Sequence, residues 1–527
     1  MKNMKKIEIY DTTLRDGTQS PDVNLTLYDK LEFVKALDEF GVDYIELGWP
    51  ASNPKDMEAF LEASKLEFKH AKISAFGSTR RKNIKAEEDA NLNAIIESKA
   101  KVASIFGKSW DDHVIKQLKC SLDDNLDAIE ESIRFLTNKG IEVFFDAEHF
   151  FDGFKDNKEY ALKTLKAAYD GGAKCLVLCD TNGGTSVRDT DRILDEVNKF
   201  VNKEEGLNID LGVHIHNDSG LAVSNSIISV DKGVKQIQGT INGFGERCGN
   251  ADLCQIIPNL MIKKQYETNV KLSSLKVISD LAYTLSNNKP IRNQPFVGDN
   301  SFAHKGGIHV DAISKGASYE HIAPSLVGNK RSIILSDLSG KANVIEILKD
   351  FGLECIEKND QRIIEMLKKI ELMEKKGYDI GDLDVEKYLL VNEFFKDNKN
   401  IFKIDSWEII SSYKNRAEKS DCLIIGSLGD EKREVTSSIE GGPVDAAYNA
   451  IKKFLKNDYK GLDCIHLINY KVRIAEDKGE SSTVRVFIEF DCSGKSFSTV
   501  GVDSNIFVAS MEAITKAFRY YLLQEFG

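Results

Sequence analysis

Residues 7–19 read IEIYDTTLRDGTQ, and this stretch carries the strongest indication of the fold. The apolar, β-prone run at 7–10 indicates a strand that ends near Asp11. A cation, Arg15, then lies directly beside an anion, Asp16. Such a pair has no structural need to lie at a strand end. It suits a site in which one side chain holds a metal and its neighbour polarises a substrate oxygen. The stretch therefore predicts a strand whose carboxyl end carries an active site.

Around this stretch the chain repeats a pattern. Between Ile7 and about Leu260, short β-branched runs alternate with longer amphipathic stretches eight times. One such stretch, 126–136, has helical apolar spacing and a stop at Lys139-Gly140. Eight βα units in about 250 residues predict an α/β TIM barrel with its active site at the carboxyl ends of the strands. A doubly wound open sheet is the alternative, but no Gly-rich phosphate turn follows the first strand. The predicted strands end near Asp11, Gly48, Gly77, Gly107, Glu148, Thr181, Asn217 and Gly243.

The pattern changes beyond the barrel, and we expect three regions. Residues 1–265 are predicted as the catalytic TIM barrel, 266–400 as helical linker subdomains, and 401–527 as a C-terminal α+β regulatory domain. The last region carries a weak internal repeat, in which strands ending near Ile439 and Val502 each lead into a helix. A pseudo-symmetric domain of this kind is expected to sense a small molecule or to dimerise. Two ordinary amphipathic helices are the alternative interpretation.

Composition bounds the possible partners. The chain has 527 residues, 42% of them hydrophobic, and a net charge of −12. Nucleic acids and anionic membranes both bind preferentially to basic protein surfaces, so we expect neither as a partner. We recognise no signal peptide and no apolar run near the roughly 18 residues of a spanning helix, so we expect a cytoplasmic protein. The nine cysteines are scattered without a CxxC pair, which favours reduced thiols.

Two histidines indicate a metal site. His214 and His216 are two residues apart in a strand-like run, so both point to the same side of it. We favour metal ligation over simple packing, with Asp16 as the oxygen ligand and Asn250 as a neutral fourth ligand. The first and seventh strands of a barrel lie near one another, which allows these groups to converge. Imidazole and carboxylate ligands suit zinc, manganese, cobalt or iron better than calcium.

A glycine-rich loop, 243–250 (GFGERCGN), follows the eighth predicted strand. It resembles part of a dinucleotide fingerprint, but it follows the last strand and no acidic ribose ligand comes after it. We interpret it as a tight loop that brings Glu246 and Asn250 to the barrel mouth, with Glu246 holding Arg15 by a charge-assisted hydrogen bond. Cys248 has no obvious His/Asn relay and is not expected to be a nucleophile.

Glu148 ends the fifth predicted strand, close to Phe144 and Phe145. Apolar surroundings raise the pKa of a carboxyl group, which suits it to proton transfer. A salt bridge in the loop is the alternative explanation for this carboxylate.

Four phrases make the resemblance of this chain specific, and they cover the barrel and the region after it. The chain resembles the α-isopropylmalate synthase family, which includes homocitrate and citramalate synthases, over essentially its full length. Within that family the phrases are most similar to the long-form citramalate synthases. They are FFDAEHFFDG (144–153), CDTNGGT (179–185), GTINGFGERCGN (239–250) and AHKGGIHVD (303–311).

The resemblance implies a divalent metal, which is zinc, manganese, magnesium or cobalt, and roles for individual residues. It implies that the metal lies on the aspartate and the paired histidines, that the metal and Arg15 polarise the ketone, and that Glu148 takes part in proton transfer. His309 and Tyr319 would come from the helical region, donated by the other subunit of a dimer. Thr18 departs from the glutamate that many relatives carry, but that position is not a ligand. The implied site residues are Arg15, Glu148, Glu246, His309 and Tyr319 for catalysis, Arg15, Asp16 and Thr181 for substrate, and Asp16, His214, His216 and Asn250 for metal.

The implied reaction is a Claisen-type condensation of acetyl-CoA with pyruvate that yields (R)-citramalate and CoA, the first step of a threonine-independent isoleucine route. A homodimer with isoleucine as feedback effector at the C-terminal domain is also implied. Alternatives are a 2-isopropylmalate or homocitrate synthase, an acyl-CoA lyase or carboxyltransferase of the same barrel type, and a non-catalytic amino-acid sensor.

Substrate choice depends on the pocket wall. Aromatic residues near the predicted strand ends would leave room for the methyl group of pyruvate but not for a longer chain. They are Trp49, Phe76, Phe106 and Phe144. Arg80 and Arg81, just beyond the third strand, would instead bind the second carboxylate of 2-oxoglutarate if they turned inward.

Overall fold

A computed structural model describes residues 5–306, 312, 319–336, 339–378, 380–381, 383–396, 401–414, 417–476 and 482–526. By internal contacts the chain forms two units. The first comprises Met1–Phe302 with Ile322–Lys330, and the second comprises Ala303–His321 with Arg331–Gly527. The predicted domain boundaries at 265/266 and 400/401 stay predictions. Among the described residues, no helix is both long and apolar enough to span a membrane.

The first unit contains a closed barrel of eight parallel strands, which confirms the predicted TIM barrel. Each strand pairs with the next along the chain, and the first pairs with the eighth, with Asp11 opposite Gly239. The strands are β1 (Glu8–Asp11), β2 (Tyr44–Gly48), β3 (Lys72–Ser78), β4 (Val102–Lys108), β5 (Glu142–Glu148), β6 (Cys175–Asp180), β7 (Asp210–Ile215) and β8 (Gln236–Gly239).

Helices surround the barrel and follow from local signals. The helix Leu122–Asn138 begins with a Ser121 capping box and buries Ile129, Ile133 and Leu136. It ends as predicted, with Gly140 at φ 78°. The α-helices of this unit longer than a single turn are Leu27–Phe40, Pro54–Ala63, Ala90–Glu97, Leu122–Asn138, Phe150–Asp156, Lys158–Gly171, Val187–Lys199, Ala222–Asp231, Leu253–Pro258 and Leu275–Leu285.

Two predicted strand ends need correction. β7 ends at Ile215 and β8 at Gly239, rather than near Asn217 and Gly243. After β8 the chain turns at Ile241–Gly243, where Asn242 and Gly243 have φ values of 62° and 68°. Left-handed residues cannot continue an extended strand, so the glycine loop begins earlier than expected.

The second unit begins with a short parallel pair, β9 (Ala303–His304) and β10 (Ser332–Ile333). Three helices follow, Lys341–Asp350, Gln361–Lys375 and Asp384–Phe395. They bury a separate apolar cluster that includes Val344, Met366 and Leu390. The charged helix Gln361–Lys375 is therefore amphipathic, with one face buried.

The C-terminal part contains the predicted repeat in an enlarged form. Each half is a three-stranded antiparallel sheet followed by a helix. Ala446 and Ile451 of one helix and Ala509 and Ile514 of the other are buried in a shared core. The halves are β11 (Phe402–Lys414), β12 (Ala417–Leu428), β13 (Glu431–Ile439) with Pro443–Leu455, and β14 (Ile465–Glu476), β15 (Thr483–Cys492), β16 (Lys495–Asp503) with Ile506–Phe526.

The expectation of reduced cysteines is wrong at one pair, since Cys464 and Cys492 form a disulfide. The β14–β15 hairpin pairs Ile465 with Cys492, which brings the two cysteine Cα atoms to 4.8 Å. Their 28-residue separation gave no sign of this proximity.

Candidate active site

A cavity of about 240 Å³ opens at the carboxyl ends of the barrel strands. Side chains at or just after all eight strand ends line it. Seven predicted site residues lie in its wall, namely Arg15, Asp16, Glu148, Thr181, His214, His216 and Glu246. Asn250 lies beside it, in an isolated bridge with His216.

Asp16, His214 and His216 converge at the base of this cavity. The Asp16 Oδ2 atom is 3.1 Å from His214 Nε2 and 3.8 Å from His216 Nε2. All three residues are buried, and one ligand atom from each lies within 4.8 Å of the others. The side chains therefore form a compact donor set of one oxygen and two nitrogens.

The charges of this set follow from its surroundings. Burial opposes ionisation of Asp16, but Arg15 and the two histidines outweigh it and hold the pKa of this carboxyl well below its usual range. Burial, followed by the charge on His214, lowers the pKa of His216 to about 4. His216 is therefore neutral near pH 7, the form that ligates metals.

Unsatisfied atoms show that the site fits a cation. Asn250 donates from Nδ2 to the Phe244 carbonyl at 3.2 Å. Its Oδ1 atom is buried and has no hydrogen-bond partner among the described residues, and buried Asp16 Oδ2 faces only the Nε2 atoms of the two histidines. Buried oxygens are normally satisfied, so these two mark a place where a divalent metal would complete their coordination.

The prediction that Glu246 holds Arg15 is wrong. Arg15 Nε donates to Glu46 Oε2 at 2.7 Å, and Arg15 Nη1 lies 3.1 Å from Asp16 Oδ1. Glu246, half exposed after β8, pairs with Arg247 at 3.3 Å. Glu46 is buried on β2, the strand that pairs with β1, so its carboxylate reaches Arg15 directly. Sequence reasoning missed Glu46, although a carboxylate in the apolar run YIELG is a signal.

The guanidinium of Arg15 is also fixed from its face. Its central carbon lies 3.8 Å from the centre of the Phe76 ring. Burial opposes its charge, but Asp16 and Glu46 outweigh that effect and raise the pKa of Arg15. The side chain is thus a fixed cation at the cavity wall.

Glu148 is paired in the structure. Its Oε2 atom lies 2.5 Å from Lys108 Nζ, at the end of the neighbouring strand β4. A salt bridge is therefore present, but it joins two strand ends rather than lying in the loop, and the role of Glu148 in proton transfer stays a prediction. Thr181 Oγ1 accepts a hydrogen bond from the His149 amide at 2.9 Å, so its own proton can be donated elsewhere.

Three of the four predicted aromatic residues form the wall. Trp49 packs edge-on against Phe76 and Phe106, with ring centres 5.5 and 5.7 Å apart. Phe144 is not part of this wall, because it lies deeper in the barrel against Tyr44 at 4.9 Å. Side chains at 144, 146 and 148 share one face of β5, and Asp146 takes the cavity position instead.

Arg80 and Arg81 do not line the catalytic cavity. Arg80 Nε lies 2.5 Å from Glu131 Oε2, and both arginines line an adjacent cavity of about 640 Å³. Neither arginine therefore provides a binding site for a second substrate carboxylate in the catalytic cavity.

Two predicted site residues come from the helical region, His309 and Tyr319. His309 lies outside the described residues. Tyr319 belongs to the second unit and is 50% exposed. Their catalytic roles stay predictions.

Three known families match successive parts of the chain. They are HMGL-like at residues 6–282, homocitrate synthase post-HMGL domain-like at 296–376, and the LeuA allosteric (dimerisation) domain at 380–522.

Full-length relatives are similar throughout. The (R)-citramalate synthase of Aquifex aeolicus is 44% identical over 99% of this chain and 98% of its own. That of Geobacter sulfurreducens is 42% identical over 98% of each chain. The 2-isopropylmalate synthase of Methanocaldococcus jannaschii is 32% identical over 97% of this chain and 93% of its own. The chain therefore belongs to the HMGL-like family, in the group formed by the citramalate and 2-isopropylmalate synthases.

Proposed function

We propose that the protein condenses acetyl-CoA with pyruvate in a Claisen-type reaction and forms (R)-citramalate and CoA. The observation that carries this proposal is the buried Arg15–Asp16 pair beside His214 and His216, in a cavity closed by aromatic rings. The full-length relatives named (R)-citramalate synthase support the same reaction.

Asp16, His214 and His216, with Asn250, would hold a divalent metal such as zinc, manganese, magnesium or cobalt. When bound, such an ion supplies Lewis acidity that polarises the ketone of a 2-oxo acid. Asp16 in this way also takes part in substrate binding.

Arg15 is proposed to donate to the ketone oxygen as negative charge develops there. A fixed donor stabilises a developing alkoxide because it needs no reorganisation during the reaction. The Glu46 carboxylate and the Phe76 ring hold the guanidinium in place before the substrate enters. Thr181 is proposed to donate its free hydroxyl proton to the substrate carboxylate.

The carbon nucleophile is the enol of acetyl-CoA, formed by loss of a methyl proton. We propose that Glu148 takes part in this proton transfer and that Glu246, His309 and Tyr319 complete the acid–base set, the last two from the partner subunit of a dimer. The new bond joins the methyl carbon to the ketone carbon, and the alkoxide then takes up a proton. Water cleaves the thioester and releases CoA, which makes the condensation irreversible.

The adjacent cavity is a suitable place for the CoA moiety. Its wall contains five basic side chains, Arg80, Arg81, Lys82, Lys85 and Lys108, against two acidic ones, Asp124 and Glu131. Such an excess of cations favours phosphate groups. Phe106 and Lys108 border this cavity, and Phe106 also borders the catalytic one. A CoA thioester lying in the basic cavity would thus reach the catalytic cavity past Phe106.

Pyruvate is the proposed 2-oxo acid because its methyl group fits a short aromatic pocket. Trp49, Phe76 and Phe106 close the space that an isopropyl group would need. The second carboxylate of 2-oxoglutarate would be desolvated beside these rings, which is costly without a partner.

The C-terminal domain is proposed to form a homodimer. Its sheets expose Ile410 and Tyr413 on β11 and Ile468 and Ile474 on β14, with exposed fractions of 52% to 72%. Apolar side chains exposed on a sheet surface suit an interface. The match to the LeuA allosteric (dimerisation) domain supports the same assignment.

We further propose that isoleucine binds this domain as feedback effector, that the reaction begins a threonine-independent isoleucine route, and that the protein works in the cytoplasm. Removing residues 401–527 should abolish inhibition by isoleucine while some turnover remains. Unchanged inhibition of the truncated protein would place the effector site elsewhere.

A substrate panel tests the reaction. Acetyl-CoA is mixed with pyruvate, 2-oxobutyrate, 2-oxoisovalerate or 2-oxoglutarate, and the release of free thiol is followed together with the product. We expect the highest kcat/KM with pyruvate. A higher kcat/KM with 2-oxoisovalerate or 2-oxoglutarate would identify the other synthases, and cleavage of an acyl-CoA without any 2-oxo acid would identify a lyase.

A further inference from the structure

A buried layer of polar side chains lies directly behind the proposed metal ligands. Gln236 and Gln238 alternate on β8, and both are fully buried. The Gln238 Oε1 atom lies 3.1 Å from Nδ1 of His214. Asp146, also buried, lies on the other side of the Gln238 amide. None of these contacts involves a group that the proposed reaction uses directly, apart from His214 itself.

The contacts of Gln238 fix the orientation of its amide. Nε2 donates to Gln236 Oε1 at 3.3 Å and to Asp146 Oδ1 at 3.4 Å. Because the amide nitrogen faces two oxygen atoms, the amide oxygen faces His214. An amide oxygen only accepts hydrogen bonds, so Nδ1 of His214 must carry the proton. The lone pair of neutral His214 is then on Nε2, the atom that lies 3.1 Å from Asp16 Oδ2.

We propose that Gln238 is a positioning residue that sets the tautomer and ring plane of His214 for metal binding. The inference rests on the proposed metal site, and it adds a link that joins β5, β8 and β7 through Asp146, Gln238 and His214. Groups that hydrogen-bond the outer nitrogen of a ligating histidine increase its basicity and restrict its ring.

The second histidine provides an internal contrast. Nδ1 of His216 is buried and has no hydrogen-bond partner among the described residues. Of the two histidines, only His214 therefore has its ring oriented by a hydrogen bond at Nδ1 among the described residues. Loss of Gln238 should free one ligand of the pair and leave the other as it is.

The test is the affinity of the purified full-length protein for Co²⁺ and Zn²⁺. Gln238→Met keeps the length of the side chain but removes the acceptor, and we expect affinity to fall about 10- to 100-fold. We also expect the visible absorption band of bound Co²⁺ to shift, which a change in folding stability alone would not cause. Gln236→Met is the control for loss of a buried amide on the same strand. It removes one acceptor of Gln238 Nε2 but leaves Asp146 Oδ1 and the Gln238 oxygen opposite His214, so we expect affinity close to that of wild type.

A second variant separates positioning from packing. Gln238→Glu restores an acceptor opposite Nδ1, and its other oxygen, when protonated, donates to Asp146 Oδ1 as Nε2 does in the wild type. This variant should bind Co²⁺ more tightly than Gln238→Met. If Gln238→Met does not fold, Gln238→Asn replaces it, because its shorter amide withdraws the acceptor from His214.

Two results would overturn the inference. One is a Gln238→Met variant that binds Co²⁺ and Zn²⁺ with wild-type affinity. The other is a Gln238→Glu variant that binds Co²⁺ no more tightly than Gln238→Met. If the wild-type protein itself binds neither ion, the metal site is wrong, and the positioning role fails with it.

Discussion

Arg15 and Glu46 form a buried ion pair across the first two strands of the barrel, with Nε and Oε2 2.7 Å apart. The side chains are 10% and 0% exposed, so water does little to screen either charge. Arg15 also contacts Asp16, through Nη1 at Oδ1, which leaves the other Asp16 oxygen, Oδ2, directed at the histidines.

Glu46→Gln should therefore cost both stability and turnover. Removing one partner of a buried pair leaves the other charge poorly compensated, and we expect a loss of about 3 kcal/mol in the free energy of unfolding. We expect kcat to fall more than KM rises, since the Arg15 guanidinium would lose the carboxylate that fixes its position at the cavity wall. Urea unfolding and steady-state kinetics measure these effects. Glu39→Gln, which removes an exposed pair with Lys69, should change neither, and equal behaviour of the two variants would contradict the assignment.

Metal removal should abolish turnover. Asp16→Ala and His214→Ala should each lose bound metal, measured by elemental analysis, and activity with it, because each removes one donor of the three. Adding zinc, manganese, magnesium or cobalt to chelated wild-type protein should restore turnover. His70→Ala, at an exposed histidine, should keep its metal. Full activity of metal-free protein would refute the metal site.

Much of this site could be predicted from the sequence. The parts that could not be predicted depend on packing. Strand ends were predictable because β-branched runs and helical stretches alternate with a clear period, so Asp16, His214 and His216 were expected to converge. Which carboxylate reaches Arg15 depends instead on strand pairing. The sequence favoured Glu246 because its glycine-rich loop was expected at the barrel mouth. The pairing of β1 with β2 instead places Glu46 beside Arg15.

The depth of Phe144 in the barrel and the proximity of Cys464 to Cys492 could not be predicted from the sequence either. Phe144 and Glu148 point to the same side of β5, but only the three-dimensional barrel shows that Phe144 lies too deep to border the cavity. The Cys464–Cys492 disulfide likewise depends on the register of one hairpin. Spacing along the chain contains neither piece of information.

Stability should depend on pH through Asp11. Burial raises the pKa of this carboxyl to about 7, although hydrogen bonds from Thr13 oppose the shift. Between about pH 4 and 7 the unfolded chain has lost this proton while the folded protein keeps it, so this group makes the folded state less stable as pH rises. Above pH 7 both states are ionised and the effect levels off.

Asp11→Asn tests this dependence. The variant cannot ionise, so its stability relative to wild type should increase from pH 5 to pH 7.5, as measured by urea unfolding midpoints. Asp29→Asn, at a partly exposed capping position, is the control and should show no such trend. A constant difference between Asp11→Asn and wild type across this range would show that Asp11 is ionised throughout.

The assembly should depend on the exposed face of β14. Changing Ile468 and Ile474 together to glutamate places like charges in the proposed interface, so we expect a monomer in sedimentation velocity. Because His309 and Tyr319 are proposed to come from the partner subunit, the monomer should keep only part of the wild-type turnover, as expected for the protein without residues 401–527. Val277→Glu alters an equally exposed apolar residue on a barrel helix and should stay dimeric. A dimer in the double variant would exclude this face.

The pocket wall should determine which 2-oxo acids are accepted, and Phe106 offers the clearest test. Phe106→Ala opens space beside Trp49 without removing the ring that stacks on Arg15. An apolar pocket discriminates by about 1–3 kcal/mol per methylene, so kcat/KM for 2-oxobutyrate relative to pyruvate should rise about tenfold or more.

Two matched variants complete this test. Phe76→Ala should also widen the range, but it should lower kcat for every substrate because Arg15 loses its support. Phe144→Ala should cost about 3–5 kcal/mol of stability and leave the substrate ratio unchanged, since that ring lies below the cavity. If Phe144→Ala broadens the range and Phe106→Ala does not, the wall is formed by the deeper ring, and the basis for preferring pyruvate falls.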